Sequence, residues 1–371
     1  MISGLGASLI GALWPVMYPE FGVSLSSIGI FSWIGSVVGL FSNLGAGWLL
    51  RKFGARQMTA VCGVIVALAH FGYALSGEYW MLCVLSVPAG FAAGVIGVAM
   101  NNYVALHYAS YHMSWVHCMW GVGSIIGPNL VAYSLMNGYS WNISYVVVAA
   151  AWAVYAIGIV VLRKLWKPDP VSVQGGKKKE LSMGQLVRIR GVKEALLTFF
   201  CYNSLEQGMI LWMSSYMVLS IGLSEELAAA YASLFFIGIT IGRMLNGILT
   251  VKFNDDRLIR IGCVLIAAGG ILMLLPFGKT TALASLVLIG VGCAPMCPCL
   301  LHSTPQHFGE EHSQALIGMQ VAASTLGNCI LPSVFGLVAG WFSIALFPVY
   351  VFFCFAIMFA AHWRLVKLTA K

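Results

Sequence analysis

Long apolar segments constrain this chain more than any other feature. They recur along its whole length, and each contains roughly 18 to 25 residues of mainly apolar sequence, as an α-helix needs to cross a hydrocarbon core of about 30 Å. Charged residues make up 9% and apolar residues 60% of the chain, whereas about a quarter of the residues in a soluble domain are charged. The chain must therefore fold in a bilayer. Twelve segments are predicted to span it, at approximately 2–19, 26–50, 57–76, 80–105, 115–136, 143–165, 192–219, 226–251, 258–277, 281–303, 314–340 and 343–363.

The sequence also repeats itself. The segment GWLLRKFG that begins at Gly47 recurs 200 positions later as GILTVKFN, beginning at Gly247. The same offset aligns further residues: Gly22 with Gly222, Gly127 with Gly327, His107 with His307 and His112 with His312. We therefore predict an all-α membrane protein with 12 transmembrane helices in two pseudo-symmetric six-helix bundles. Two like halves with a site between them are typical of transporters.

The predicted domains follow from this repeat. Residues 1–166 form the N-terminal bundle and residues 191–371 the C-terminal bundle. Between them, residues 167–190 form a linker in which prolines, paired glycines and a lysine run interrupt the apolar pattern. Its 181–192 portion is predicted to lie as a short amphipathic helix on the membrane surface.

Lysine and arginine indicate the orientation, because cytoplasmic loops retain positive charge. Arg51, Lys52, the cluster within 163–193 and the tail residue Lys371 fall on one side, whereas the opposite loops hold only Lys279. We expect both termini and the linker in the cytoplasm and the protein in the cytoplasmic membrane. The net charge of +8 is then a topology signal that needs no nucleic-acid partner. No cleavable signal peptide is expected, since Met1 leads directly into the first span.

Glycines four residues apart mark several predicted helix faces. Such faces let two helix backbones approach closely. The pairs are Gly35 with Gly39, Gly90 with Gly94, Gly123 with Gly127, and Gly238 with Gly242.

Polar residues inside spans are more discriminating, because they must face protein or water. They concentrate in the fourth, fifth, seventh and eleventh spans, which should therefore line a wet cavity. These residues are Asn101, Asn102, His117, Glu206, Gln207, Gln320 and Asn328.

Glu206 is the sharpest candidate, since a carboxylate in mid-span costs on the order of 2.5 to 3.5 kcal/mol. With Asn203 one turn earlier, it could bind a solute or carry a coupling proton. The alternative is an acid that is tied to a neighbouring helix. His117 is a second candidate for binding or coupling, or else a satisfied core histidine.

Aromatic and amide side chains together suit a neutral polar solute. Trp120 and Trp212 could stack on the apolar face of a sugar ring, while its hydroxyls meet Asn101, Gln207 and Gln320. Membrane-interface tryptophans, the alternative, fit these mid-span positions poorly.

Clustered histidines raise the rival hypothesis of a metalloenzyme. His107, His112 and His117 are five residues apart, so successive side chains point about 140° apart on a helix. His107 and His112 also fall in a predicted loop. The ten cysteines lack the paired CxxC spacing of zinc sites. We expect no metal, no cofactor and no enzyme activity.

The loop after the second span resembles the signature of the major facilitator superfamily, with Gly47, Arg51, Lys52, Gly54 and Arg56. Arg51 stands where that family usually has an acid. Arg243, after Gly242, resembles a family gating position. The resemblance implies a gating role for Arg51, Lys52, Arg56 and Arg243.

Further stretches resemble the fucose-permease-like sugar transporters within that superfamily. These stretches are 97–103, 117–123 with Gly127 and Pro128, Glu206 with Trp212, Ser215 and Tyr216, 294–308 and 320–332. The resemblance implies proton-coupled sugar transport. The coupling carboxylates of that branch, however, align with Ala7 and Gly97, which cannot hold a proton.

The leading hypothesis is a secondary-active or facilitative carrier that moves a sugar or another small polar solute by alternating access, with protons or another ion as a coupling partner. The alternatives are a multidrug or metabolite efflux carrier and a receptor or scaffold without transport.

Overall fold

The computed structural model describes residues 1–108, 110–166, 183–250, 252–275 and 279–369. Apart from two 3₁₀ turns, the regular elements in these ranges are all α-helices. The helices are α1 Ile2–Glu20, α2 Ser27–Phe53, α3 Ala55–Leu75, α4 Tyr79–His107, α5 Ser110–Met136, α6 Asn142–Val161, α7 Met183–Leu186, α8 Val192–Leu219, α9 Glu225–Leu249, α10 Asp255–Leu274, α11 Lys279–Cys293, α12 Met296–His302, α13 Thr304–Phe308, α14 Glu310–Trp341 and α15 Phe347–Thr369.

Ten helical segments within the described residues are long and apolar enough to cross a membrane. One of them, Lys279–His302, combines α11 and α12. The remaining two predicted spans are the more polar helices α5 and α8, of 27 and 28 residues. The all-α membrane fold with twelve spans is therefore confirmed.

Contacts divide the chain into two compact units. The first contains α1–α6 and the segment Gly222–Ser233, and the second contains α8 and the chain from Leu234 onward. The predicted boundaries at 166 and 190 stay predictions, because residues 167–182 lie outside the described part of the chain.

The internal repeat appears in the backbone. Helices α3 and α10 begin at residues 55 and 255, α4 and α11 at 79 and 279, and α5 and α14 at 110 and 310. Gly22 and Gly222 both take the left-handed conformation, with φ of 63° and 77°. Packing partners correspond as well, because α1 packs on α5 as α8 does on α14, and α3 packs on α6 as α10 does on α15.

Glycine faces allow the close crossings that the sequence predicts. Gly90 of α4 lies against the carbonyl of Gly35 in α2, and a Cβ at Gly90 would overlap that oxygen. In the second unit, a Cβ at Gly238 of α9 would come within 2.5 Å of the carbonyl oxygen of Val287 in α11. At both crossings, the helices therefore touch through their backbones.

Hydrogen bonds from side chains to carbonyl groups tie the helices together. In the second unit, Ser204 Oγ donates to Gly327 O at 2.9 Å, and Tyr350 Oη donates to Ser204 O at 2.5 Å. In the first unit, Trp14 Nε1 donates to Leu25 O at 2.8 Å and Tyr79 Oη donates to Ser27 O at 2.6 Å.

Two local predictions need correction. His107 is the last residue of α4 and His112 lies in the first turn of α5, so neither lies in the predicted loop. In the predicted surface helix at 181–192, the described residues between 183 and 191 are helical only over Met183–Leu186, and residues 181 and 182 lie outside the described part of the chain. Leu186 packs in a cluster with Val192, Leu316 and Met319 of the second unit.

Candidate functional site

The most distinctive polar group in a predicted span is an ion pair between α8 and α9. Glu206 Oε1 lies 3.7 Å from Arg243 Nη2, and the two side chains are only 13% and 22% exposed. The fully buried Tyr202, one turn before Glu206, lies near both charged groups. A carboxylate in an apolar segment is thus balanced by a cation on the next helix.

A break in a helix lies beside this ion pair. Helix α11 ends at Cys293 and α12 begins at Met296. Pro298 has no N–H to donate to the carbonyl of Ala294, so the helical hydrogen-bond ladder is interrupted there. Cys293 and Cys297 flank the break and lie near Glu206 and Arg243. Broken helices with unpaired carbonyls commonly form the solute sites of transporters.

The sequence identified part of this site and missed the rest. It singled out Glu206 but assigned Arg243 to gating, and it considered the nearby cysteines as possible zinc ligands, which their spacing argues against. The signal that was overlooked is the pair Pro295 and Pro298 within one predicted span.

Two polar residues flank Glu206 on α8: Asn203, one turn earlier, and Gln207, which was predicted to bind solute. Asn203 is 8% exposed, and its Nδ2 donates to Phe199 O at 2.9 Å. Gln207 follows Glu206 directly and is half-buried. Both residues thus lie near the ion pair along the helix.

Trp212 lies in a packing environment. It is fully buried, its Nε1 donates to Pro332 O at 2.9 Å, and its ring meets Phe335 edge-on at 5.8 Å between centroids. A ring enclosed in this way has no free face for a sugar. The geometry favours a role in joining α8 to α14, and sugar stacking by Trp212 stays an untested prediction.

Gln320 likewise contacts protein. It is 3% exposed, and its Oε1 accepts a hydrogen bond from Thr304 Oγ1 of α13 at 3.0 Å. Its predicted solute contact also remains untested.

The first unit holds the other predicted binding residues. Asn101 is exposed on α4. Trp120 is half-buried on α5, where its carbonyl lies against Gly4 of α1. His117 lies in α5, and its side chain is outside the described part of the structure. Their roles stay predictions.

The predicted gating residues lie at the junction of α2 and α3. Lys52 is exposed, with its Nζ 5.0 Å from the Trp48 ring centroid and 5.3 Å from that of Phe53. Arg56 is half-buried, and the side chain of Arg51 is outside the described part. The fourth gating candidate, Arg243, is the ion-pair partner of Glu206, and the gating roles of all four residues stay predictions.

A second charged cluster, which the sequence analysis missed, joins α10 to α13 and α15. Asp256 Oδ1 lies 3.6 Å from His307 Nε2 and 3.7 Å from His362 Nε2. The neighbouring Asp255 binds His302 Nδ1 at 2.7 Å. The sequence signal that could have revealed this cluster is the pair of adjacent aspartates, Asp255 and Asp256, at the start of α10. The clustered histidines were considered as metal ligands, and among the described residues no three suitable side chains are placed to hold a metal ion.

Comparisons with known proteins bear on this arrangement. The sequence model of the Major Facilitator Superfamily matches residues 1–332 and 232–370. The chain is 20% identical to the glucose/mannose transporter of Bacillus subtilis, over 88% of this chain and 82% of the relative. It is 22% identical to a probable nitrate/nitrite antiporter of Thermus thermophilus, over 94% and 85% of the two chains.

Solved structures show the same fold. A nucleoside transporter superposes with a TM-score of 0.78 at 15% identity and covers 99% of this chain and 96% of its own. The Escherichia coli fucose:proton symporter gives a TM-score of 0.63 at 18% identity, over 98% and 95% of the two chains. The family match extends over the whole chain, so this protein belongs to the major facilitator superfamily and is a multi-pass membrane transporter of small solutes, not an enzyme.

Proposed function

We propose that this protein carries a sugar or a similar small polar solute across the cytoplasmic membrane by alternating access. The observation that carries the proposal is the Glu206–Arg243 pair beside the broken α11–α12 span. The named substrates of the glucose/mannose and fucose relatives support the sugar class.

The chemistry of the pair suits a polyhydroxylated solute. The carboxylate accepts hydrogen bonds from hydroxyl groups, and the guanidinium donates to hydroxyl oxygens. Their separation of 3.7 Å exceeds the 2.7 to 3.2 Å of a direct hydrogen bond, where about 2.9 Å is typical. A solute hydroxyl could therefore bridge the two groups while each retains its charge partner.

A small anion is the second candidate solute. Arg243 would bind a carboxylate or nitrate through its guanidinium, and one relative is named as a nitrate/nitrite antiporter. Glu206 opposes this reading, because its negative charge repels an anion unless it is protonated. Neutral sugars need no such change, so they remain the leading class.

We also propose that both termini face the cytoplasm, as the Lys and Arg distribution suggests. In this orientation Arg51, Lys52 and Arg56 lie at the cytoplasmic end of the first unit, where gating contacts of the family occur. Glu206 and His117 remain the proposed coupling groups.

The test is uptake into proteoliposomes that contain the full chain. Radiolabelled glucose, fucose, a hexuronate and nitrate are offered separately, with protein-free liposomes as the control. Saturable uptake of a neutral sugar that is competed by unlabelled sugar is the expected result. Saturable flux of only the anions would favour the second candidate.

Two further outcomes would overturn the proposal. Flux of only large apolar compounds would indicate multidrug efflux. Solute binding without any flux, measured on the same preparation, would indicate a receptor.

A further inference from the structure

A surface pocket lies where the first turns of α10 cross the last turns of α15. Its lining comes from these two helices: Arg260, Cys263, Phe359, His362, Trp363, Val366 and Lys367. Both helix ends are the ends of predicted membrane spans, so we expect the pocket at the level of the lipid headgroups. It is remote in sequence from Glu206 and shares no residue with the candidate solute site.

The pocket carries two cations around one aromatic ring. The guanidinium carbon of Arg260 lies 5.9 Å from the ring centroid of Trp363, and Lys367 Nζ lies 5.2 Å from it. Arg260, Trp363 and Lys367 are all exposed. No carboxylate is among the lining residues. The carboxylate of Asp256 lies outside this lining; it interacts with Arg260 and also faces His307 and His362.

An apolar wall continues from the pocket along α15 towards the middle of the span. Trp363 packs on Phe359 at 6.1 Å between ring centroids, Phe359 stacks on Phe355 at 5.9 Å, and Phe355 meets Phe352 at 6.4 Å. Phe359 is 40% exposed. This aromatic ladder begins at the cations and extends away from the membrane surface.

From this arrangement we infer that the pocket binds one anionic phospholipid. Its phosphate lies between Arg260 and Lys367, its glycerol region covers the edge of Trp363, and one acyl chain follows the ladder from Phe359 to Phe352. Basic pockets between transmembrane helices bind anionic headgroups, and tryptophan favours the membrane interface. The continuity of the basic and apolar parts favours a lipid over a free phosphate, which would need only the cations.

Native mass spectrometry can test this inference on the full-length protein. The protein is released from nanodiscs that contain equal amounts of phosphatidylglycerol and phosphatidylcholine, and the retained lipids are counted. Arg260→Gln/Lys367→Gln removes both pocket cations. Lys252→Gln/Arg257→Gln is the matched control, because it removes the same charge near the start of α10 from residues that do not line the pocket.

We expect the unmodified protein to retain one phosphatidylglycerol molecule preferentially. Arg260→Gln/Lys367→Gln should weaken this retention by roughly tenfold or more, because each lost cation removes about 1 kcal/mol of attraction. The control variant should retain the lipid as the unmodified protein does. Equal loss in both variants would show diffuse surface attraction and overturn the inference. Equal retention of both lipids by the unmodified protein would also overturn it.

Two further arms separate a lipid from a phosphate ion and guard against misfolding. Excess inorganic phosphate should not displace the lipid, and displacement would identify an ion site instead. Phe359→Ala keeps both cations but interrupts the ladder, so it should lower phosphatidylglycerol retention. If the double variant fails to fold, Lys367→Gln alone at its exposed position should still weaken retention, and unchanged retention there would contradict the inference.

Discussion

Glu206 and Arg243 depend on each other, because each removes the cost of the other's charge within the span. Glu206→Gln keeps the side-chain shape but leaves Arg243 without its counter-charge. We expect solute uptake to fall strongly. Breaking a fully buried ion pair typically lowers the free energy of unfolding by about 3 to 5 kcal/mol. The loss here should be smaller, because Arg243 is 22% exposed. Solute uptake and the melting temperature in detergent measure the two effects.

A matched comparison sharpens this prediction. Glu194 also pairs with an arginine, at 3.3 Å, but that arginine, Arg364, is 74% exposed. Glu194→Gln should therefore leave uptake nearly unchanged. Normal uptake with Glu206→Gln would remove Glu206 from the proposed site.

Trp212 offers a second test at the residue scale. Trp212→Phe keeps most of the buried ring but removes the donor to Pro332 O, a loss of about 0.5 to 1.5 kcal/mol. Trp212→Ala should cost about 3 to 5 kcal/mol through the cavity that it leaves. If Trp212 only packs, the solute concentration for half-maximal uptake stays the same in the Phe variant. A large increase with unchanged stability would restore the predicted stacking role.

The sequence indicated which residues are unusual better than it indicated what they touch. A carboxylate in an apolar span is visible at once, so Glu206 was found. Its partner lies on another helix, and no local spacing links positions 206 and 243. The burial of Trp212 depends on Phe335 and Pro332 of α14, and neither residue is near it in sequence.

At the scale of helices, we expect the stability of the protein to depend on glycines at the close helix crossings. Gly90 and Gly97 both lie within α4, but a Cβ at Gly90 would strike the Gly35 carbonyl, whereas nothing lies within 4 Å of a Cβ at Gly97. Gly90→Ala should therefore destabilise the protein by about 1 to 3 kcal/mol or more through overpacking. Thermal unfolding in detergent measures the change.

Gly97→Ala is the matched control for this prediction. It gains helix propensity of up to about 1 kcal/mol and should not lower the melting temperature. Equal destabilisation by both substitutions would show that the α2–α4 crossing tolerates a methyl group and that the backbone contact is not limiting.

Helix number and helix ends were not equally predictable. Hydropathy counts spans well, because a bilayer requires a minimum apolar length. Helices α4 and α5 extend beyond their apolar parts, to His107 and from Ser110, since polar residues continue a helix without difficulty outside the hydrocarbon core. Among its described residues, the helix predicted for 181–192 covers only Met183–Leu186. Amphipathicity alone cannot distinguish a lipid surface from an apolar protein surface such as that around Leu316 and Met319, so the placement on the membrane surface stays a prediction.

Carboxylates are distributed unevenly over the whole chain. Residues 1–166 contain only Glu20 and Glu78, and these are the last residue of α1 and the residue before α4. No proton-carrying acid therefore lies within the spans of the first half. Coupling through a carboxylate within a span must rely on the second half, where Glu206 is the candidate.

Solute-driven proton movement in proteoliposomes, followed with an internal pH dye, tests this account. We expect proton movement that disappears when Glu206→Gln is combined with His117→Gln. Gly97→Asp should strengthen coupling, because its surroundings have space for the side chain, and Gly97→Asn is the control that cannot ionise. Robust movement without both Glu206 and His117 would contradict the assignment, and no movement in the unmodified protein would indicate a facilitator.

Hydrogen bonds from side chains to main-chain carbonyls restrict substitution at the donor residue but not at the acceptor residue. Trp14, Tyr79, Trp212 and Tyr350 each donate to a main-chain carbonyl, and every amino acid supplies such an acceptor. The donor side chains are therefore constrained in identity, whereas positions such as Leu25 and Ser27 can vary as far as their own packing permits. Divergent sequences can preserve these helix contacts while only one residue of each contacting pair stays recognisable.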